Sequence, residues 1–131
     1  MGLLKSFLYS GRILTILSVA QAFVTAAKTK PRRWEKRVDE TLYLSGRRPG
    51  AVLKEEVWFE GEKLVKYSLG YINSDVCSTD HGRVLGYDNA HGVHHRHFRG
   101  KVETFEFTSY EALVKRFEHE VQELWRIEDE K

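Results

Sequence analysis

Four of the six histidines lie in one stretch of fifteen residues, 87–101, which reads YDNAHGVHHRHFRGK. The same stretch holds two arginines and a lysine, but Asp88 is its one carboxylate. Imidazole groups exchange protons near neutral pH, and a guanidinium group offers a planar fork of donors that matches phosphate oxygens. This composition favours chemistry on a phosphate group, although a solvated connection rich in charge is the plainer interpretation.

Phosphodiester cleavage without a metal is the reaction that these residue types suit best. It needs a general base for the 2′-hydroxyl, a general acid for the leaving oxygen, and cations for the phosphate charge. If the segment is extended, His95 and His97 share one face and Arg96 lies on the other. We therefore predict His95 and His97 as acid and base, Arg96 as a phosphate ligand, and Asp88 as the group that orients an imidazole.

The flanking residues supply candidates for binding the substrate. Arg99 would join the histidine face if the alternation continued, so that it or Lys101 could clamp the phosphate. His94 is a further substrate-binding candidate. Tyr87 and Phe98 could stack on bases or could simply belong to the core.

Two other kinds of site fit the same segment. The histidines could offer imidazoles to a metal, but the sequence has neither an HExxH motif nor a second spaced histidine pair, so we expect no metal and no other cofactor. The one cysteine, Cys77, excludes a CxxC framework and an internal disulfide, and is expected to be a small buried residue. Alternatively, the cations could serve a non-enzymatic module that binds nucleic acid or a partner protein, with an affinity that falls steeply with salt.

Composition places the chain among ordinary globular proteins. Its 131 residues suffice for one domain, with 41% apolar and 31% charged residues. The net charge of +2 conceals a gradient, because residues 1–37 carry eight Lys/Arg against one Glu, whereas residues 103–131 carry four against nine acids. Such asymmetry is compatible with a polyanionic partner and equally with hydrated surface.

The first 27 residues allow three interpretations. They resemble a signal peptide, they show the apolar spacing of an amphipathic helix, and they could follow a start codon assigned too early. The apolar run is short and polar for a membrane span, so we expect no membrane association and favour a helix or extension. Residues 28–37 are typical of a basic linker. We therefore divide the chain into residues 1–36, an N-terminal helix or extension with its linker, and residues 37–131, a single α+β domain.

Short extended segments follow from Arg37. Residues 37–44 alternate as a strand, two longer alternating runs meet at a reversal at Glu60 and Gly61, and further extended runs cover 83–89 and 101–108. Residues 73–82 have the composition of a loop.

The clearest pattern is a C-terminal helix. Thr108 and Glu111 form a capping box, and an apolar stripe follows at helical spacing, with Lys115, Glu118, Glu120 and Glu123 on the other side, which we take as surface. The fold class predicted is α+β, an antiparallel sheet of four to five strands with this helix packed on one face.

Residues 83–121 resemble the TumE-like toxin family of prokaryotic toxin–antitoxin modules. The shared features are the tripeptide Tyr87, Asp88 and Asn89, the run from Gly92 to His97, a phenylalanine-rich strand and the TSYEAL helix start. The resemblance covers residues 37–125 and leaves residues 1–36 outside. Asp88, His95, Arg96 and His97 are the positions that match its most distinctive motif.

The resemblance implies a small cytoplasmic toxin with a cognate antitoxin as its protein partner. A ribonuclease acting on an RNA substrate is a reasonable inference for that class. A single unpaired cysteine agrees with the cytoplasm. The sequence is compatible with a homodimer and does not specify one.

Overall fold

A six-stranded antiparallel meander forms the body of the computed structural model, which describes residues 33–131. Its strands are adjacent in chain order: β1 (Trp34–Tyr43), β2 (Val52–Glu60), β3 (Lys63–Ile72), β4 (Arg83–Asp88), β5 (His95–Phe98) and β6 (Lys101–Thr104). One helix, α1 (Tyr110–Asp129), follows the sheet. The helix or extension predicted for residues 1–27 lies outside the described residues.

The predicted fold class is confirmed, with six strands instead of four to five. The additional pairing comes from the short hairpin of β5 and β6, which turns through Arg99 and Gly100. Both residues have positive φ, 50° and 86°. Two-residue hairpins of this kind are usually signalled by Asn-Gly or Asp-Gly, so Arg-Gly gave little sign of the turn.

Several element boundaries differ from the prediction. β1 begins at Trp34, so residues 34–37 belong to the sheet and not to a linker. The loop between β2 and β3 consists of Gly61 and Glu62, one residue later than predicted. β6 ends at Thr104, because the following residues leave the sheet and place Phe105 and Phe107 against the core.

Side chains that alternate toward α1 build the hydrophobic core. The large, fully buried members come from β2, β3, β4 and α1. They include Leu53, Phe59, Tyr67, Leu69, Tyr71, Leu85, Tyr87 and Phe117. Cys77 is buried among them, as predicted. The core therefore lies between the helix and one face of the sheet, which leaves the other face free of α1.

The predicted apolar stripe of α1 is confirmed, but its polar side is more deeply buried than expected. Glu118 is fully buried and Glu120 is partly buried, whereas Glu123 is exposed. Glu55 of β2 is also fully buried and accepts a hydrogen bond of 2.7 Å from the hydroxyl of Tyr110. The interface between helix and sheet thus contains carboxylates as well as apolar side chains. Among residues 33–131, no helix has the length and apolarity needed to cross a membrane.

Ser109, not the predicted Thr108, caps the N-terminus of α1. Its side-chain oxygen accepts a hydrogen bond of 3.1 Å from the backbone amide of Ala112. We expect Ser109→Ala to lower the free energy of unfolding by about 1 kcal/mol, because it leaves a helix amide without this acceptor. Thr108→Ala is the matched control and should leave stability nearly unchanged, since Thr108 is exposed and precedes the cap. Urea unfolding of both variants measures the difference, and equal losses would contradict the assignment of Ser109 as the cap.

Candidate functional site

The pairing of β4 with β5 brings three of the predicted catalytic residues together. Asp88 lies directly opposite His95, and Gly86 lies opposite His97. Directly opposed residues in an antiparallel pair project from the same face of the sheet. Tyr87, between them in sequence, is buried in the core toward α1. Asp88, His95 and His97 therefore share the face that α1 does not cover, which we call the open face.

Asp88 lies between the two imidazoles. Its Oδ2 is 2.9 Å from Nε2 of His97, and its Oδ1 is 3.8 Å from Nδ1 of His95. The buried Nε2 of His97 does not meet the geometry of a hydrogen bond to Asp88. The interaction is therefore an electrostatic attraction between the carboxylate charge and the polar imidazole ring. The ring centroids of His95 and His97 are 6.2 Å apart, with the planes inclined by 64°. The two rings thus project together, as the alternation of an extended segment predicts.

Arg83, which the sequence did not single out, completes the contacts of His97. Its Nη2 lies 2.9 Å from Nδ1 of His97. Since a guanidinium group can only donate, this bond requires Nδ1 to be an acceptor and the ring to be neutral with its proton on Nε2. Arg83 also donates to both carboxylate oxygens of Asp80, at 2.7 and 3.2 Å. The hydrogen bond from Arg83 lowers the pKa of Asp80 below its ordinary value.

A glycine makes room for Arg83. A Cβ atom on Gly86 would come within 2.5 Å of Cδ of Arg83, so the arginine side chain lies directly across this residue. Gly70, the cross-strand neighbour of Gly86, has no atom within 4 Å of such a Cβ. A glycine inside a strand often marks a close approach of another group, and this was the one sequence signal that pointed to Arg83.

Arg96 lies on the opposite face from His95 and His97, as predicted from alternation. Its guanidinium donates to the Tyr87 hydroxyl at 3.0 Å, and to Glu103 and Glu120 at 3.2 Å each. The Tyr87 hydroxyl in turn donates to Glu120 at 2.5 Å, and burial raises the pKa of Tyr87 well above its ordinary value. Arg96 therefore joins β5 to α1. Tyr87 is a core residue, which was the alternative to base stacking.

Arg99 and Lys101 do not reach the histidine face by strand alternation. β5 ends at Phe98, and Arg99 occupies the turn with φ of 50°. Its guanidinium carbon lies 5.5 Å from the ring centroid of Phe98. Lys101 is paired with Phe98, which packs partly against the core, so its side chain belongs to the face of Arg96. The two-residue turn interrupts the alternation of side chains, and our prediction that Arg99 joins the histidine face depended on that alternation.

His94 is partly buried and packs on the core side, away from this cluster. Its ring stacks on Phe107 at a centroid distance of 4.3 Å and an interplanar angle of 2°. Its Nδ1 shares a hydrogen bond of 2.7 Å with the Tyr67 hydroxyl. Burial lowers the pKa of His94, and the neighbouring His95 lowers it further. These contacts give His94 a packing role.

Asn89 ties the segment between β4 and β5 to β3. Its Oδ1 accepts a hydrogen bond of 3.0 Å from the backbone amide of Tyr67, and its Nδ2 donates to the carbonyl of Val65 at 3.0 Å. His91, in the turn that follows, is exposed and has φ of 61°. Within the part of the chain that the structure describes, no group of three or more His, Cys, Asp or Glu side chains is arranged to hold a metal ion.

Comparison with known families supplies independent information. The family model described as Toxin TumE matches residues 24–125. This range includes all six strands, most of α1 and every candidate site residue. No match is found among curated proteins or among solved structures.

His94 should make the stability of the fold sensitive to mild acid. Its pKa is lowered from 6.5 in the folded state, so the unfolded chain binds the proton more readily. The stabilisation from neutral His94 is therefore complete above about pH 6.5 and is lost as the pH falls toward the lower, folded value.

We expect His94→Phe, which keeps an aromatic ring against Phe107, to lose less stability between pH 7.5 and pH 5.5 than the unchanged protein. Urea midpoints at the two pH values measure this. The absolute stability of the variant will also reflect its missing bond to Tyr67, so the comparison concerns the change with pH. An identical change in both proteins would contradict the assignment to His94.

Proposed function

The chain belongs to the TumE toxin family, and we propose that it is the toxin of a toxin–antitoxin module that cleaves RNA without a metal. The proposal includes a cognate antitoxin as partner, an RNA substrate and action in the cytoplasm. We assign the activity to a single domain that contains all six strands and α1; because β1 begins at Trp34, this domain starts a few residues before the predicted boundary at residue 37. The observation that carries the enzymatic part is the Asp88 carboxylate in contact with both His95 and His97 on the open face.

The reaction needs two proton transfers and no cofactor. A base removes the proton from the 2′-hydroxyl, whose oxygen attacks phosphorus. The bond from phosphorus to the 5′-oxygen breaks, and an acid protonates that oxygen as it leaves. The products are a 2′,3′-cyclic phosphate and a free 5′-hydroxyl. Two imidazoles beside one scissile phosphate suit these two transfers, because an imidazole has one nitrogen that can accept a proton and one that can donate it.

His95 is the histidine that we expect to contact the substrate first. Its side chain is 26% exposed, against 13% for His97. Its Nδ1 is the nitrogen nearer Asp88, so Nε2 is left to exchange a proton with the substrate. Asp88 would then stabilise the imidazolium that forms, as a carboxylate behind a catalytic histidine does.

His97 is proposed as the second proton-transfer group. It lies on the same face as His95, at a centroid distance of 6.2 Å, which leaves room for groups of the substrate between the rings. Arg96 is proposed to act from the other face, by fixing β5 against α1 through Glu120. Arg99, Lys101 and His94 remain candidates for contacts with RNA beyond the scissile phosphate.

A non-enzymatic binding module is the second candidate. Both ring nitrogens of His97 lie 2.9 Å from protein groups, and this supports a rigid polar surface that binds without reacting. Such a module would bind RNA or an acidic partner with an affinity that falls steeply with salt. Purified protein would then leave RNA intact after long incubation, which separates the two candidates.

We expect His95→Ala to reduce RNA cleavage by at least about 100-fold, because general acid–base groups contribute factors of this order or more. Expression without the antitoxin should then no longer arrest growth. His91→Asn is the matched control, since His91 is exposed in the same segment and asparagine tolerates its positive φ. Full toxicity of a folded His95→Ala protein would remove the catalytic proposal.

Treatment with a chelator separates this mechanism from that of a metal-dependent nuclease. Cleavage by the purified protein should be unchanged after exhaustive treatment with a chelator, because both proton transfers and the charge stabilisation come from side chains. A loss of cleavage that added Mg²⁺ or Zn²⁺ restores would show that the proposed mechanism is wrong. The same preparation without chelator is the control.

A further inference from the structure

We propose that Arg83 binds the scissile phosphate and that its departure from His97 allows this imidazole to take up a proton. The inference rests on the proposed function, and it names the phosphodiester ligand and the event that prepares the acid. It starts from the contacts of His97, whose two nitrogens both face protein groups. An imidazole held in this way cannot transfer a proton until one of those groups moves.

Arg83 is the group whose chemistry fits a phosphate. A guanidinium group presents a fork of donors that binds two phosphate oxygens at once. In the structure these donors are directed to Asp80, and to Nδ1 of His97 at 2.9 Å. Its Nη1 also lies 3.6 Å from Oδ2 of Asp88. The side chain is 24% exposed on the open face, so an incoming phosphate can replace these partners without unfolding the strand.

The charges around His97 explain why a proton should accompany the phosphate. The groups that face its ring are Arg83, Asp80, Asp88 and His95. With both imidazoles neutral, one guanidinium and two carboxylates give a local charge of about −1, which opposes an anion. Uptake of one proton removes that opposition. Phosphate and proton are therefore expected to bind together.

His97 is the residue whose surroundings suit it to hold that proton. Nε2 is 2.9 Å from Asp88, and Nδ1 is 3.8 Å from Asp80. Once Arg83 has left Nδ1, an imidazolium would have a carboxylate beside each of its nitrogens. Each N–H group of that imidazolium would then point toward a carboxylate oxygen. Phosphate binding would in this way produce the general acid that the leaving 5′-oxygen requires.

Gly86 allows the arrangement to be tested without removing the guanidinium. Gly86→Ala would place a methyl group 2.5 Å from Cδ of Arg83, which is too close for the two groups to coexist. The substitution should therefore push the arginine side chain away from His97. Gly70→Ala is the matched control, because Gly70 is the cross-strand neighbour and its added methyl group meets no atom within 4 Å. Neither glycine has positive φ, so alanine fits both backbones.

The experiment uses the full chain with ¹⁵N-labelled histidine and a 2′-deoxy dinucleoside monophosphate as the probe. This probe has one phosphodiester of constant charge and cannot be cleaved by attack of a 2′-hydroxyl. NMR spectra of the ring nitrogens report the tautomer of His97, and titration gives the affinity. In the free protein we expect the Nε2–H form. With the probe bound we expect protonation of His97, and an affinity that rises as the pH falls from 7.5 to 6.

The variants supply the decisive comparison. Arg83→Gln should weaken binding of the probe by about tenfold or more, as expected for a lost charged hydrogen bond. Gly86→Ala should alter the His97 spectrum before any probe is added, whereas Gly70→Ala should match the unchanged protein. If Arg83→Gln does not fold, as judged from the signals of stacked His94, Arg83→Lys replaces it.

The inference is overturned if the His97 spectrum is the same in Gly86→Ala as in the unchanged protein, or if removal of Arg83 leaves the affinity for the probe unaltered. Cleavage of RNA is assayed separately. Failure of the unchanged protein to cleave RNA would overturn the proposed function, and the probe data would still show whether Arg83 and His97 respond to a phosphodiester. The two failures are therefore distinguishable.

Discussion

Alternation of side chains along β4 and β5 is the constraint on which the candidate site depends. A strand sends successive side chains to opposite faces, and antiparallel pairing keeps opposed residues on the same face. Tyr87 and Arg96 therefore meet α1, whereas Asp88 and His95 meet each other on the open face. A shift of the pairing by one residue would exchange the two sets and bury the charges. Deep burial of Tyr87 makes such a shift costly, so packing on one side fixes the polar geometry on the other.

The tripeptide Tyr87, Asp88 and Asn89 shows how three neighbouring residues anchor one segment in three directions. Tyr87 donates to Glu120 of α1, Asp88 contacts the two imidazoles of β5, and Asn89 binds the backbone of β3. The helix, the hairpin and the inner strand are thereby held to one short stretch of chain. Together with Arg96, which joins Tyr87 to Glu120 and Glu103, this network gives β5 a fixed position even though it has only four residues.

Sequence patterns predicted those parts of the fold that depend on local periodicity. The stripe of α1, the alternation of the long strands and the common face of His95 and His97 all follow from spacing along the chain. The patterns failed where the outcome depended on contacts distant in sequence. Glu118 borders the apolar stripe, four residues after Val114, and was taken as surface because it carries a charge; it is fully buried. The pattern of one helix does not show what the opposing sheet covers. Arg83 was missed for the same reason: Asp80 is only three residues away in the chain, but His97 becomes a neighbour of Arg83 only through the register of β4 and β5.

The facing pair of Gly70 and Gly86 has a thermodynamic consequence for the centre of the sheet. Glycine has more conformational freedom in the unfolded chain than any other residue, and in a strand interior it lowers stability by roughly 0.5–1 kcal/mol relative to alanine. Two such residues side by side weaken the middle strands, where β-branched residues would normally add packing. The absence of a side chain on Gly86 nevertheless leaves the space in which the side chain of Arg83 lies. The space that Arg83 occupies beside His97 is therefore obtained at a cost in the free energy of folding.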